Sequence, residues 1–363
     1  MSATLSRTPL HALHVELGGR IVPFAGWEMP VQYSGIIEEH LAVRHAAGLF
    51  DVSHMGEARV RGRDAAAFLD GIMTNEMSTI KVGMARYTVM CQPDGGCVDD
   101  LIVYRLAADE FLICLNASNA AKDIAWMRAH VGAQQVEVLD ECAAWAQLAL
   151  QGPRAEAILA LVTSVPLAAI RRFGFAFGEV AGAAGCLISR TGYTGSPGFE
   201  IYLPAASAEK VARALLAAGK PHGLVPAGLG ARDSLRLEAN YPLYGHEISE
   251  QISPIQAGLG WTVKFTKPAF IGREALQRQA EGGPVSSVVL FSLQDRRIAR
   301  QGAVVYDGET PVGEVLSGTQ SPVLGRPIGT ALVAAGHAGS PTLTVDVRGH
   351  RLPLELATGP FVK

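Results

Sequence analysis

The sequence predicts an α+β protein in which two α+β units form one region and a small all-β domain follows. Two successive rounds of strand-like runs, each accompanied by helix-like runs, predict the first region. After EGGP at residues 281–284, which has the composition of a linker, short strand-like runs with Gly and Pro turns predict a barrel or sandwich. We therefore expect a first region over residues 1–280, divided near residues 140–150, and a C-terminal β domain over residues 281–363.

The first round begins with two helices. Ser34 can cap a helix that runs to Ala47 and stops at Gly48, and Asp64 can cap a second helix. Apolar runs joined by short turns then predict strands over residues 86–91, 98–106 and 111–115, with a helix after them from Ser118 or Asn119.

The second round repeats this alternation. A strand over residues 146–150 and a helix over residues 153–162 begin it. The remaining elements are expected as strands near residues 173–180 and 186–190 and helices over residues 207–218 and 230–239. Beyond the linker, strands are expected over residues 285–293, 303–306, 312–317, 329–333 and 343–347.

Composition excludes several classes of protein. The chain has 363 residues, of which 48% are hydrophobic and 18% charged, and its net charge of −3 does not attract nucleic acid. No apolar run approaches the ~20 residues of a membrane span. The N-terminal segment lacks the apolar core of a signal peptide, so we expect a cytoplasmic protein. Five widely spread cysteines without a C-x-x-C motif predict free thiols, and the histidine spacing predicts no metal site.

Three stretches combine glycines, aromatic residues and polar side chains without helical periodicity. They are FAGWEMPVQY (residues 24–33), GLFDVSHMGE (residues 48–57) and SRTGYTGSPGFEIY (residues 189–202). Binding sites are commonly built from loops on a rigid scaffold, so we expect these stretches to be loops that form a site.

Asp99 and Asp100 stand at the head of a predicted strand, after a Gly95–Gly96 turn. Successive side chains of a strand point to opposite faces, so one aspartate can face inward while the other faces solvent. The pair either caps the turn or supplies a carboxylate whose basicity depends on its burial and neighbours.

Glu200 and Arg232 each have two interpretations. The Glu200 carboxylate either faces solvent from its strand or accepts two hydrogen bonds from one planar donor edge. Arg232 and Arg236 share a helix face at i, i+4, which fits a surface ion-pair ladder. Gly228 and Gly230 instead allow the helix start to approach another group, where the guanidinium of Arg232 suits a carbonyl or a carboxylate.

Together with GGCVDDLIVY (residues 95–104) and PAGLGARDSLRLEA (residues 226–239), the three stretches make five motifs in one order. In these motifs the chain resembles the aminomethyltransferase, or T-protein, family of the glycine cleavage system, over about residues 7–362. The resemblance implies two related α+β units and a C-terminal β domain. It also implies that tetrahydrofolate, as cosubstrate, takes the methylene of an aminomethyl group from the dihydrolipoyl arm of lipoylated H-protein, with release of ammonia.

The resemblance further implies the residues of the site. Asp100 faces the folate and is catalytic, whereas Asp99 is structural. Glu200 and Arg232 hold the pterin. Trp261 is expected to be a packing residue. The remaining cofactor-binding side chains are aromatic, apolar or amide groups: Met55, Tyr87, Asn116 and Tyr193.

Two alternatives remain open within this resemblance. The folate domains of dimethylglycine and sarcosine dehydrogenases are similar, but they are fused to a flavin domain, and no dinucleotide fingerprint occurs here. The other alternative is a non-catalytic folate-binding protein of the same fold. The presence of Asp100, Glu200 and Arg232 together favours the enzyme.

Overall fold

The structure is a computed structural model that describes residues 4–362. These residues form two compact units. Unit 1 contains the chain up to Ala66 together with Ile80–Arg86 and Ile102–Leu235, and unit 2 contains Ala67–Thr79, Tyr87–Leu101 and the chain from Arg236. The predicted fold class, α+β with a C-terminal β domain, is confirmed. The predicted division after residue 280 stays a prediction.

The first part of the chain alternates strands and helices. Its strands are β1 (Ser6–Arg7), β2 (Arg20–Phe24), β3 (Trp27–Gln32), β4 (Ala47–Asp51), β5 (Gly56–Arg61), β6 (Ala85–Cys91), β7 (Cys97–Ala107), β8 (Glu110–Leu115), β9 (Glu137–Asp140), β10 (Trp145–Gln151), β11 (Phe175–Val180), β12 (Ala183–Ser189), β13 (Gly198–Pro204) and β14 (Leu224–Pro226). Its helices are α1 (His11–Glu16), α2 (Ile36–His45), α3 (Ala65–Ile72), α4 (Ala120–Ala129), α5 (Ala155–Leu159), α6 (Ala208–Gly219) and α7 (Leu229–Glu238).

Unit 1 is built around a six-stranded sheet with the order β11-β12-β13-β10-β4-β14. A second sheet has the order β6-β7-β8-β5-β9, and the chain passes between the two units within β6 and β7. Tyr104 and Cys114 of this second sheet pack against Leu187 and Tyr202 of the six-stranded sheet. The interior face of β13, which carries Tyr202, therefore packs against residues of β7 and β8 that belong to unit 1.

The helices of unit 1 cover the six-stranded sheet on both faces. Ile158 of α5 and Leu215 of α6 pack against Leu148 of β10 and its neighbours. On the opposite face, Val43 of α2 and Leu235 of α7 pack with other buried residues of β4 and β10. A strand that is buried on both faces is apolar along most of its length, which is why the sequence predicted β10 correctly.

The predicted cap of α2 is wrong. Helix α2 begins at Ile36, and its N-cap is Gly35, which has a φ of 150° and makes no side-chain cap bond. Glu39 satisfies this helix start instead, because its carboxylate accepts bonds from the backbone N–H groups of Tyr33 and Gly35. The helix ends at His45 rather than Ala47, since Ala47 already pairs with Leu224 in the sheet.

Two of the three stretches predicted as loops are largely strands. Residues 24–33 form most of the β2–β3 hairpin, whose two-residue turn has positive φ at Ala25 (50°) and Gly26 (84°), as a type I′ turn requires. Residues 48–57 contain most of β4 and the start of β5, so only the few residues around Ser53 form a connection. The third stretch does contain a loop, between β12 and β13.

Unit 2 contains the C-terminal sheet, with the order β20-β19-β16-β17-β18-β15-β21. Its core consists of alternating apolar residues such as Phe291, Val305, Val315 and Val345. The sequence missed helix α8, which includes the first two residues of the predicted linker. The elements of this part are α8 (Arg273–Gly282), β15 (Ser286–Ser292), β16 (Val304–Asp307), β17 (Thr310–Ser321), β18 (Arg326–Ala334), β19 (Leu343–Val347), β20 (His350–Pro353) and β21 (Glu355–Ala357). Within residues 4–362, no helix has the length and apolar character needed to cross a membrane.

Candidate active site

Glu200 lies on the interior face of β13 and is 6% exposed. Thr191 Oγ1 donates a hydrogen bond of 2.5 Å to one carboxylate oxygen, and Gln147 Nε2 donates a bond of 3.2 Å to the other. Burial raises the pKa of Glu200, and the two donors and the nearby Arg232 oppose this rise. Each carboxylate oxygen has two lone pairs, so Glu200 retains capacity to accept from a ligand.

Arg232 and Tyr193, two further predicted site residues, are in contact in unit 1. The guanidinium carbon of Arg232 lies 4.5 Å from the centre of the Tyr193 ring, within the range of a cation–π interaction. The two glycines at the start of α7 allow this helix to approach neighbouring chain closely: a Cβ on Gly228 would lie 2.5 Å from the Val31 carbonyl oxygen. The predicted close approach is therefore present, and it is made to the protein's own backbone.

Arg236 is not part of a surface ladder. It is 1% exposed, and its guanidinium pairs with Glu247 at 2.8 Å within unit 2. The ion-pair-ladder interpretation is therefore wrong for Arg236, because a buried cation requires a buried carboxylate partner.

The loop that carries Tyr193 is held by Gln151 of β10. The Gln151 amide donates to the carbonyl oxygens of Thr191 and Phe199, and its oxygen accepts from the hydroxyl of Thr194 at 2.9 Å. A Cβ at Gly192 would stand 2.0 Å from that amide oxygen, so only glycine fits against Gln151 at this point. The glycines of TGYTGSPG thus allow the loop to lie close to the sheet.

Met55 and Asn116 also lie in unit 1. Met55 is half-buried and packs against the apolar clusters that contain Phe50 and Cys114. Asn116 follows the end of β8 and is half-buried. Five of the seven predicted site residues therefore belong to unit 1, and Asp100 and Tyr87 belong to unit 2.

Asp100 and Tyr87 are joined within unit 2. The hydroxyl of Tyr87 donates a bond of 3.0 Å to Asp100 Oδ2. Asp99 is fully buried whereas Asp100 is half-buried, as the alternation of strand faces predicts. Trp261 is 58% exposed and stacks on the Tyr87 ring with centroids 5.8 Å apart, so it packs against Tyr87 at the surface and not in the core.

The groups that surround Glu200 lie outside the predicted set of site residues. Gln147 and Gln151 are buried polar residues in the otherwise apolar strand WAQLALQ, at positions four apart that share one face. A polar residue at alternate positions of an apolar strand was the available signal. Thr191 lies inside the third stretch, and nothing local distinguishes it from its neighbours there.

Two further buried polar residues lie next to this region of unit 1. Burial lowers the pKa of His54 to about 4, and the nearby Arg232 contributes to this shift. Burial also raises the pKa of Glu57 well above its usual value, and its carboxylate oxygens have no hydrogen-bond partner within residues 4–362. In that same part of the chain, His, Cys, Asp and Glu side chains form no group of three that could hold a metal ion.

Comparison with known proteins decides the family. The family pattern described as "GCVT N-terminal domain" matches residues 10–267, and "Glycine cleavage T-protein C-terminal barrel domain" matches residues 287–363. The chain belongs to the glycine cleavage T-protein family. The resemblance in the five motifs is thereby confirmed.

Relatives within this family match along the whole chain. The aminomethyltransferase of Desulforamulus reducens is 48% identical over 363 residues, covering 99% of this chain and 98% of that protein. That of Geobacillus kaustophilus is 49% identical over 361 residues, covering 99% of each. The crystal structure of glycine cleavage system aminomethyltransferase T from Bartonella henselae has a TM-score of 0.93 at 35% identity and covers 99% of this chain and 98% of its own.

Proposed function

We propose that the protein transfers the methylene of an aminomethyl group from the dihydrolipoyl arm of H-protein to tetrahydrofolate and releases ammonia. Its full-length relatives carry the name aminomethyltransferase, which supports a transferase of glycine cleavage. The observation that carries the folate part of the proposal is the buried Glu200 carboxylate, with one internal donor on each oxygen.

Glu200 and Arg232 fit the two polar edges of a pterin. A pterin presents an exocyclic amine and an adjacent ring N–H on one edge, and a carboxylate can accept both bonds as a fork. The planar guanidinium of Arg232, held over Tyr193, can donate to the ring carbonyl. The half-buried Met55 and Asn116 supply apolar contact and amide hydrogen bonding. Tyr87 remains a proposed cofactor-binding residue, because its ring offers an aromatic face.

Asp100 is the proposed catalytic group. In the overall reaction the C–S bond and the C–N bond of the carried group break, and two new C–N bonds to the folate form. The two folate N–H protons leave with ammonia and with the thiol of the arm. Loss of the leaving group makes the transferred carbon iminium-like and positive, so an ionised Asp100 can stabilise it or accept a proton. The hydroxyl of Tyr87 fixes the orientation of this carboxylate.

We also place the protein in the cytoplasm. The five cysteines are all free thiols, and four of them are buried. Free buried thiols are typical of a reducing compartment.

The experiment that tests this function measures ammonia release from lipoylated, aminomethyl-loaded H-protein, with and without tetrahydrofolate. We expect release that depends on tetrahydrofolate and is lost in Asp100→Asn. A protein that binds tetrahydrofolate in calorimetry but releases no ammonia would be the non-catalytic alternative. Absence of both binding and release would contradict the proposed function as a whole.

A further inference from the structure

Gln147 is the central residue of the polar cluster around Glu200. Its amide nitrogen donates to Glu200 Oε1 at 3.2 Å and lies 3.0 Å from the hydroxyl of Tyr202. Its amide oxygen lies 3.7 Å from the sulfur of Cys114, which donates to it. Gln147 is 1% exposed, so neither end of the amide has access to bulk water.

The direction of the Gln147 amide is linked to the state of Glu200. With the nitrogen toward Glu200, the amide stabilises an ionised carboxylate. With the amide reversed, its oxygen would face Glu200, and only a protonated Glu200 could then donate to it. The cluster therefore has two internally consistent arrangements, and they offer a ligand different hydrogen-bonding partners.

Cys114 favours the first arrangement. Its thiol is buried, and burial together with the nearby Glu57 and Glu200 raises the pKa of the thiol well above its usual value. The thiol therefore keeps its proton and needs an acceptor, which the amide oxygen of Gln147 provides. Reversing the amide would place the NH₂ group against the S–H group and lose this bond.

We propose that Gln147 is a positioning residue that fixes Glu200 as a pure acceptor and thereby selects ligand edges with two adjacent donors, and that Cys114 fixes the direction of the Gln147 amide. Thr191 supports the same arrangement by donating to the other oxygen of Glu200. The identity of the selected edge, that of a pterin, rests on the proposed function, whereas the positioning of Glu200 does not.

The first test measures Glu200 without a ligand. Protein labelled with ¹³C in its glutamate carboxyl groups is titrated by NMR, and the Glu200 signal is identified by its absence in Glu200→Gln. Gln147→Leu removes a donor to the carboxylate, so the titration midpoint of Glu200 should move to higher pH. Gln134→Leu, which replaces an exposed glutamine of unit 1, is the matched control and should leave the midpoint in place.

The second test measures selectivity. Calorimetry compares tetrahydrofolate with an analogue that carries a methyl group in place of the 2-amino group. The wild type should prefer tetrahydrofolate by about tenfold or more, since a lost buried hydrogen bond is worth about one decade in affinity. Gln147→Leu should lower this ratio by weakening tetrahydrofolate alone. Cys114→Ala should move both readouts in the same direction to a smaller extent, and Cys114→Ser, which keeps a donor, should restore them.

An unshifted Glu200 midpoint in Gln147→Leu would overturn the positioning role. Equal behaviour of Cys114→Ala and wild type in both readouts would overturn the role of Cys114. Cys114→Ala and Cys114→Ser also cover the case in which Gln147→Leu does not fold. If the wild type fails to bind tetrahydrofolate, the proposed function is contradicted, and the NMR titration then decides the positioning of Glu200 by itself.

Discussion

The hydroxyl of Tyr87 donates a hydrogen bond of 3.0 Å to Asp100 Oδ2, and the exposed indole of Trp261 stacks on the same tyrosine ring. A donor to a carboxylate favours its ionised form and limits its rotation. The stack in turn limits the motion of the tyrosine ring. Asp100 is therefore supported by two aromatic residues of the same unit, which suits its proposed role as an ionised and oriented carboxylate.

Replacing Tyr87 by Phe should shift the pH dependence of the reaction. Without the phenolic donor, the ionised form of Asp100 loses one hydrogen bond that stabilises it. If Asp100 acts when ionised, the acidic limb of the rate profile for ammonia release should move to higher pH. Tyr306→Phe, which removes a hydroxyl in β16, is the control and should leave the profile unchanged. An unmoved acidic limb in Tyr87→Phe would contradict the coupling of Tyr87 to Asp100.

Asp100→Asn should fold normally and lose most activity, whereas Asp99→Asn should retain more of it. The two side chains occupy opposite faces of β7, and only Asp100 is half-exposed. Asp99 is fully buried, so its replacement should affect mainly the thermal stability of the protein. The comparison uses the limiting rates and the melting temperatures of both variants. Greater sensitivity of the rate to Asp99 would show that the opposite face of the strand carries the chemistry.

Glu200→Gln and Arg232→Lys should weaken the binding of tetrahydrofolate more than they lower the limiting rate. In Glu200→Gln an amide NH₂ group replaces one carboxylate oxygen, and this group faces other donors and cannot accept a hydrogen bond. A buried hydrogen bond that is not made costs about 1–3 kcal/mol, or roughly tenfold or more in affinity. An ammonium cannot reproduce the planar fork of Arg232. Much of the rate should return at saturating folate. Unchanged apparent affinity in both variants would remove these residues from the pterin site.

Glu57 should make stability depend on pH. Burial raises its folded-state pKa well above the ordinary value of 4.5. Between these two values the unfolded state releases the proton while the folded state keeps it, so stability falls as the pH rises. The fall cannot exceed about 1.4 kcal/mol per pH unit for one group. Glu57→Gln should remove this slope.

Denaturant unfolding at several pH values above 4.5 measures the effect of Glu57. The difference in unfolding free energy between Glu57→Gln and wild type should grow in favour of the variant as the pH increases. Glu309→Gln, at an exposed turn, should show a difference that does not change with pH. A constant difference for Glu57→Gln would mean that its carboxyl group titrates at its ordinary pKa in the folded protein.

The sequence predicted elements whose periodicity is strong and missed those defined by partners far away in the chain. Helix α4 and strand β10 follow from apolar spacing alone. The β2–β3 hairpin was predicted as a loop because its glycine and aromatic content hides the alternation, and the positive φ of Ala25 is not a property of alanine in general. Strand β14 has three residues and exists only because it pairs with β4.

The residues of the candidate site also divide into those that local motifs predict and those that only the fold brings together. Glu200 and Arg232 could be selected because the motifs around them resemble a known family. The polar position of Gln147 in an apolar strand is a signal in the sequence, but its role is not, because that role depends on the register that places it opposite Tyr202 and on a thiol from another sheet. The contact of Trp261 with Tyr87 joins residues far apart in the chain, and no local pattern reports it.

The most direct test of the proposed function follows the transferred carbon itself. H-protein loaded with a ¹³C-labelled aminomethyl group is incubated with tetrahydrofolate and this protein, and the label is located by NMR. The label should leave the lipoyl arm and appear as the bridging methylene of 5,10-methylenetetrahydrofolate, with one ammonia released for each carbon, and Asp100→Asn should largely prevent this transfer. Label that stays on H-protein in the presence of folded wild-type protein and tetrahydrofolate would contradict the proposed activity.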